Sequence, residues 1–326
     1  MNKHKLLAAT LAGLALAPAP AWSQSGADYP NRPIRIVAPF PPGSAGDIIP
    51  RAVAPGAGEI LKQNLIIENR PGAAGGIAAE AVAKSAPDGY TLLFGTTGTL
   101  AINAALYPKL SYDPLRDFVP IVMCATSAHV IVVAPMLPVA NLKEYIALAK
   151  SKPGQLNLAS SGAGTAVHLS GELFNALTGI KTVHVAYKGG AEALTDLIAG
   201  RVQVMFASMS SAVTLIRSGK VKALAVTSAE RNAALPDLPT VREAAVPGYN
   251  VTGFFGFLAP AATPRAIVTK LNEHFVATLK TPETKERLAA LGVDVTWSTP
   301  EQFGEQIREE IAQWTKAVKV AGARAD

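Results

Sequence analysis

Five times along the chain an apolar run fit for a buried strand ends in small polar residues and gives way to a helix-forming run. That unit constrains the fold more than anything else in the sequence. A strand apolar on both faces belongs to a sheet covered on both sides, and helices are what cover it. The first unit runs from the strand Ile34 to Ala38 into Pro39-Phe40-Pro41-Pro42-Gly43-Ser44-Ala45-Gly46-Asp47, with a helix expected from Ile48. Pro39, Pro41 and Pro42 fix φ and carry no N–H. Gly43, Ser44, Ala45 and Gly46 leave the main chain bare, and the first N–H groups of the following helix have no internal partner. Those groups sit at the positive end of the helix dipole, so the loop suits a small anion, a carboxylate above all. Asp47 has two readings here, as an acceptor for a ligand amine or as the cap of the next helix. Phe40 is a candidate apolar wall.

The other four units follow the same plan. Strand Tyr90 to Phe94 leads into Gly95-Thr96-Thr97-Gly98-Thr99 and a helix from Leu100 to Leu106. Strand Leu156 to Ala159 leads into Ser160-Ser161-Gly162-Ala163-Gly164-Thr165 and a helix from Ala166 to Leu177. Strand Thr182 to Val185 precedes Ala186-Tyr187-Lys188-Gly189-Gly190, and Val202 to Phe206 precedes Ala207-Ser208-Met209-Ser210. Loops at strand C-termini face one edge of a sheet, where ligands sit in open α/β folds. Pro120 to Ala125 and Val130 to Ala134 read as two strands, with Thr126 to His129 between them as a crossover. Val251 to Ala259 is the candidate return crossover. Residues 29–125 plus 251–326 then form one α/β lobe and 126–250 a second, with a cleft between them that closes by hinge bending. Thr-Pro pairs at 263, 281 and 299 open three C-terminal helices. Capping boxes are expected at Asn141/Glu144 and Thr299/Gln302.

Residues 1–23 read as a secretory signal: Lys3 to Lys5 basic, Leu6 to Ala17 apolar, and Ala21-Trp22-Ser23 a cleavage site, with cleavage as late as residue 27 an alternative. The apolar run is shorter than the roughly 20 residues a membrane span needs. Without the signal the chain has 28 Lys+Arg against 24 Asp+Glu, a net of +4 spread without runs. That excludes a basic nucleic-acid groove. Cys124, the sole cysteine, forms no internal disulfide, carries no lipid and reads as a buried small hydrophobe.

Catalytic patterns are missing: no Gly-x-Ser-x-Gly elbow, no phosphate-loop lysine and no spaced histidines for a metal. His168, early in its helix, could turn its ring to the cleft. Lys188 could pair with a carboxylate at the rim, and Tyr187 could offer a ring and a hydroxyl. No cofactor or metal is expected. Hydroxyls at Ser44, Thr96, Thr97, Ser160, Ser161, Thr165 and Ser208 favour reversible binding over chemistry.

Several stretches carry a family resemblance: Tyr29-Pro30-Asn31-Arg32-Pro33-Ile34, Pro39 to Gly43, Glu68-Asn69-Arg70-Pro71-Gly72, Ala86-Pro87-Asp88-Gly89-Tyr90, Leu106 to Leu110, Val185-Ala186-Tyr187-Lys188-Gly189, Ala223 to Ser228 and Leu235 to Val241. Together they resemble the periplasmic solute-binding proteins of tripartite tricarboxylate transport systems, the Bug family, across the whole mature chain. The resemblance implies a type II, periplasmic-binding-protein-like Venus flytrap with two crossover strands, closing on a di- or tricarboxylate, an acidic amino acid or an aromatic acid. Main-chain amides of Gly43 to Asp47, Thr96 to Gly98 and Ser160 to Thr165 would hold the carboxylate. It implies a periplasmic monomer serving large and small membrane subunits. A sensor kinase as partner, or a secreted enzyme using His168 with Asp47 or Cys124, are the alternatives. Two departures stand out. Ser44-Ala45-Gly46-Asp47 lacks the usual hydroxyl before Asp47, and Ala207-Ser208 replaces an Asp common in relatives. The second departure favours a ligand without an ammonium group.

Overall fold

The computed structural model describes residues 29–321; the expected signal segment lies outside them. The elements are β1 (Ile34–Ala38), α1 (Ala45–Leu61), β2 (Leu65–Asn69), α2 (Gly76–Ala83), β3 (Thr91–Thr96), a π-helical turn (Gly98–Ile102) and α3 (Asn103–Leu106). Then follow β4 (Phe118–Val133), α4 (Leu142–Ser151), β5 (Asn157–Ser160), α5 (Ala166–Thr178), β6 (Val183–Ala186), α6 (Gly190–Ile198), β7 (Val204–Ser208), α7 (Met209–Arg217) and β8 (Lys222–Val226). The chain ends with α8 (Val241–Ala244), β9 (Thr252–Pro260), α9 (Arg265–Lys280), α10 (Pro282–Ala290), β10 (Asp294–Val295) and α11 (Pro300–Ala321).

Strands from both halves join in one path, β2-β1-β3-β9-β4-β7-β5-β6, with β8 and β10 also on β4. β1 is parallel to β2 and β3, with Ile36 opposite both Ile67 and Leu92. β5 is parallel to β6 and β7. Between these two parallel sets lie the antiparallel strands β9 and β4. At 16 residues β4 is about 50 Å long. Up to Ala128 it pairs with β9, and from His129 onward with β7 and β8.

The break expected at Thr126 to His129 is therefore not a break. The strand runs straight through it. Of the polar residues that interrupt its apolar pattern, His129 lines a cavity, while the main chain stays paired. Thr126, Ser127 and Ala128 lie opposite Phe254, Gly253 and Thr252, and the His129 N–H donates to Thr227 Oγ1 at 2.8 Å. The first helix also differs from expectation. It starts at Ala45, three residues before Ile48, because Ser44 is extended and takes the N-cap position. The proline-rich connection hides the one-turn helix α8, whose Thr240/Glu243 capping box is complete. Thr299 and Gln302 form the expected box, at 2.9 and 3.2 Å. Asn141 accepts from the Glu144 N–H at 3.0 Å, but the Glu144 carboxylate takes the Ala140 N–H and the Asn141 Nδ2 instead of the Asn141 N–H.

Two main cores sit against the two parallel sets. Ile34, Ile36, Ile49, Phe94, Phe257 and Phe275 anchor the first; Ile131, Tyr145, Leu158, Phe174 and Phe206 anchor the second. α11 straddles both halves: Phe303 packs edge-on against Phe254 at 5.8 Å, whereas Trp314 belongs to the second core. That second core also takes Ala101, Ile102 and Leu106, so the helix packs on the 29–125 segment and on the other half together.

Phe174 is fully buried and meets the rings of Tyr145, Phe206 and Tyr249. Phe174→Ala is expected to lower unfolding free energy by about 3–5 kcal/mol in guanidinium titration. Leu177→Ala on the same helix, 51% exposed, should stay within about 0.5 kcal/mol of the parent.

Candidate functional site

The strand-to-helix loops converge on a cavity between the two halves, with about 650 Å³ of atom-free space partly open to solvent. From the first half it is lined by Phe40, Ser44, Ala45, Gly46, Thr96, Thr97 and Gly98. From the second half come Ser161, Thr165, Ala166, Val167, Gly189, Gly190, Met205, Ser208 and Ser211. His129 of β4 and Gly253, Phe254 and Phe255 of β9 complete the wall. No Lys, Arg, Asp or Glu is among these lining residues.

Helix starts supply the polarity. Ala45 and Gly46 open α1, Ala166 and Val167 open α5, Gly190 opens α6, and Ser208 and Ser211 flank the first turn of α7. The N–H groups of Ala45, Gly46, Ala166 and Val167 make no hydrogen bond among the described residues. Each helix start carries about half a positive charge, so four of them place a positive potential in a space without a cation. The Ser208 and Ser211 hydroxyls are also unpaired among the described residues. Thr97 Oγ1 accepts the Phe254 N–H at 2.7 Å and faces the Phe254 carbonyl at 3.5 Å, which ties the end of β3 to β9.

Eleven of the residues singled out in the sequence line this space: Phe40, Ser44, Ala45, Gly46, Thr96, Thr97, Gly98, Ser161, Thr165, Gly189 and Ser208. Gly162, Tyr187 and Lys188 line an adjoining outer cavity, shared with Phe40 and Ser161. Six line neither space, and their bonds say why. Gly43 gives its N–H to Asp47 Oδ2 at 2.9 Å. Asp47 is saturated by that bond, by Arg51 Nε at 2.7 Å and by Asn69 Nδ2 at 2.9 Å, so it is a loop brace and not an amine acceptor. Pro42 is exposed to solvent and lines neither space. Ser160 Oγ is held by His184 Nε2 at 2.7 Å. Gly164 donates to His168 Nδ1 at 3.1 Å, and the His168 ring stacks on His184 at 3.8 Å. His168 therefore shapes the Ser160 loop from behind and does not reach the cleft. The Tyr187 hydroxyl is also turned away, donating to Asp196 at 2.7 Å.

The set His168, Asp47 and Cys124 is not assembled. Cys124 is buried, pushed up in pKa by its apolar surroundings, and its Sγ contacts the Phe255 carbonyl at 3.4 Å. Among the described residues no group of three His, Cys, Asp or Glu is placed to hold a metal ion, and no helix is long and apolar enough to cross a membrane. Sequence reasoning missed His129, Ala166, Val167, Gly190, Met205, Ser211, Gly253, Phe254 and Phe255. Two signals were available: the polar interruption at His129, and glycines inside the apolar run at Gly253.

Residues 49–323 match the family model described as the tripartite tricarboxylate transporter family receptor. A UPF0065 protein from the tcbD-tcbE intergenic region of Pseudomonas sp. (strain P51) is 37% identical over 311 residues, 94% of this chain and 92% of that one. Protein BugT of Bordetella pertussis is 36% identical over 326 residues, 99% of each chain. Among solved structures, R. palustris Rpa4515 with adipate superposes with a TM-score of 0.89 at 37% identity, covering 91% of this chain and 99% of that one. MatC (Rpa3494) from Rhodopseudomonas palustris with bound malate gives 0.85 at 35% identity, covering 89% and 100%.

Burial holds His129 neutral, with its pKa lowered to about 4. Burial, aided by the neighbouring His184, lowers His168 to about 3. Both bind protons more readily unfolded, where the pKa is near 6.5. Their stabilisation is therefore whole above about pH 7 and is lost as pH falls from 6.5 towards 4, by up to about 1.4 kcal/mol per pH unit for each ring. Urea unfolding at pH 5, 6 and 7.5 should show stability rising with pH, and His168→Gln should make that slope shallower.

Proposed function

The chain belongs to the tripartite tricarboxylate transporter receptor family, and on that premise we propose that it is an exported receptor that closes reversibly on one small carboxylic acid. Four helix starts meeting in one cation-free cavity carry the reading. Neutral N–H and O–H donors hold a carboxylate without the desolvation cost of a buried lysine or arginine, and release it when the halves part. Phe40, Val167, Met205, Phe254 and Phe255 supply apolar walls for a carbon skeleton. The adipate and malate of the two neighbouring structures support a dicarboxylate as the ligand. No lining residue offers a carboxylate to an ammonium group, which favours acids without an amine.

Closure is a hinge motion about β4 and β9. At the rim the halves already touch: a Cβ added at Gly189 would lie 3.1 Å from Pro41 Cγ. The loaded receptor then delivers its acid to the large and small membrane subunits of the transporter.

Thermal-shift and calorimetric titration of the mature protein with adipate, malate, succinate and aspartate test the reading. The non-amino acids are expected to stabilise it, by about 3 kcal/mol at a hundredfold excess over Kd, and aspartate to do little. A response to sugars or cations with none to any acid would sink it. Gly189→Val, a wedge against Pro41, should weaken binding about tenfold or more while the melting temperature of the empty protein holds.

A further inference from the structure

His129 stands where β4 passes from one partner strand to the next, and its main chain is pinned on both sides. Its N–H donates to Thr227 Oγ1 at 2.8 Å and its carbonyl accepts the Thr227 N–H at 2.9 Å. The ring is held as firmly. Nδ1 lies 2.8 Å from Ser170 Oγ, and Ser170 Oγ lies 2.7 Å from the Ala166 carbonyl. A carbonyl oxygen only accepts, and a serine hydroxyl has one proton, so that proton points at Ala166. Ser170 then has only a lone pair for the ring, and the Nδ1 of His129 must carry the hydrogen.

This chain of bonds fixes the tautomer. In the neutral ring Nε2 is left as a bare acceptor. The ring lines the cavity, and Nε2 has no partner among the described residues. On the opposing strand Gly253 lines the same space, and even a methyl there would sit 3.5 Å from Nε2. Burial, with 4% of the residue exposed, keeps the ring neutral. The helix starts therefore offer protons while this atom asks for one.

We propose that His129 is a specificity-determining residue that selects hydroxy acids: its Nε2 accepts from a hydroxyl on the carbon skeleton of a carboxylate held by the helix starts. This rests on the carboxylate reading above. A deoxy or keto analogue leaves the acceptor without its proton and binds less tightly, by about 10- to 100-fold.

Calorimetry at pH 7.5 on the mature protein compares three pairs: malate with succinate, 3-hydroxyadipate with adipate, and 4-hydroxybenzoate with benzoate. In the pair that binds most tightly the hydroxy acid is expected to lead by about tenfold or more. His129→Phe should abolish the difference within the pair, bringing the ratio of the two affinities to about one. Ser170→Ala keeps the ring but frees its tautomer, and should narrow the gap, which covers the case of a His129 variant that does not fold. Equal affinities within the pair overturn the inference and leave the carboxylate reading standing. Proton uptake on binding, read from two buffers of different ionisation heat, also overturns it, because the ring would then be an imidazolium paired with a carboxylate. Failure of all six acids to bind overturns both readings.

Discussion

Main-chain N–H groups without partners at helix starts are what the rest of this molecule is arranged around. A single helix start is a weak anion site, and four aimed at one enclosed space are not. Two features bring them together. Parallel strands in each half place their loops at one edge, and the antiparallel pair β4 and β9 turns the two edges towards each other. The result is a positive potential made without a charged side chain among the lining residues.

The first loop shows how such donors are kept available. Its prolines contribute no N–H, so only a few groups in the loop need partners. Asp47 takes the Gly43 N–H, and Ser44 folds back on the Pro41 carbonyl through both its N–H and its hydroxyl. That leaves Ala45 and Gly46 facing the cavity. An acidic residue beside an anion site looks contrary to purpose, but Arg51 and Asn69 bind the Asp47 carboxylate and it does not line the cavity. On the facing side the stacked pair His168 and His184 does the same for the Ser160 loop, one ring taking Gly164 and the other Ser160. In both loops a polar side chain behind the main chain sets its shape, and the N–H groups in front stay free.

The hinge and the site share residues. β4 and β9 connect the halves, and His129, Gly253, Phe254 and Phe255 on those strands form part of the cavity wall. The Thr97 hydroxyl ties β3 to β9 at the same place. In the proposed closure, bending about these strands would move the wall itself and so link occupancy to closure. α11 lies across both halves through Phe303 and Trp314.

The chain's own order of residues determined the alternation of strand, small polar loop and helix, the strand positions to within a residue or two apart from the break expected inside β4, and the five loops that meet at the cavity. These are local properties: φ limits at proline and glycine, apolar periodicity, and capping side chains act over a few residues. Family motifs are likewise written in the sequence. What only tertiary structure decided is which side of each loop faces the cleft. Asp47, His168 and Tyr187 carry the chemistry of site residues, yet Asn69, His184 and Asp196 engage them from behind, across 22, 16 and 9 residues of chain. His129 looked like an interruption between strands because its role depends on Ser170, 41 residues away, and on the space beside Gly253. A polar residue's sequence gives its chemistry; its direction is set by partners that only folding brings within reach.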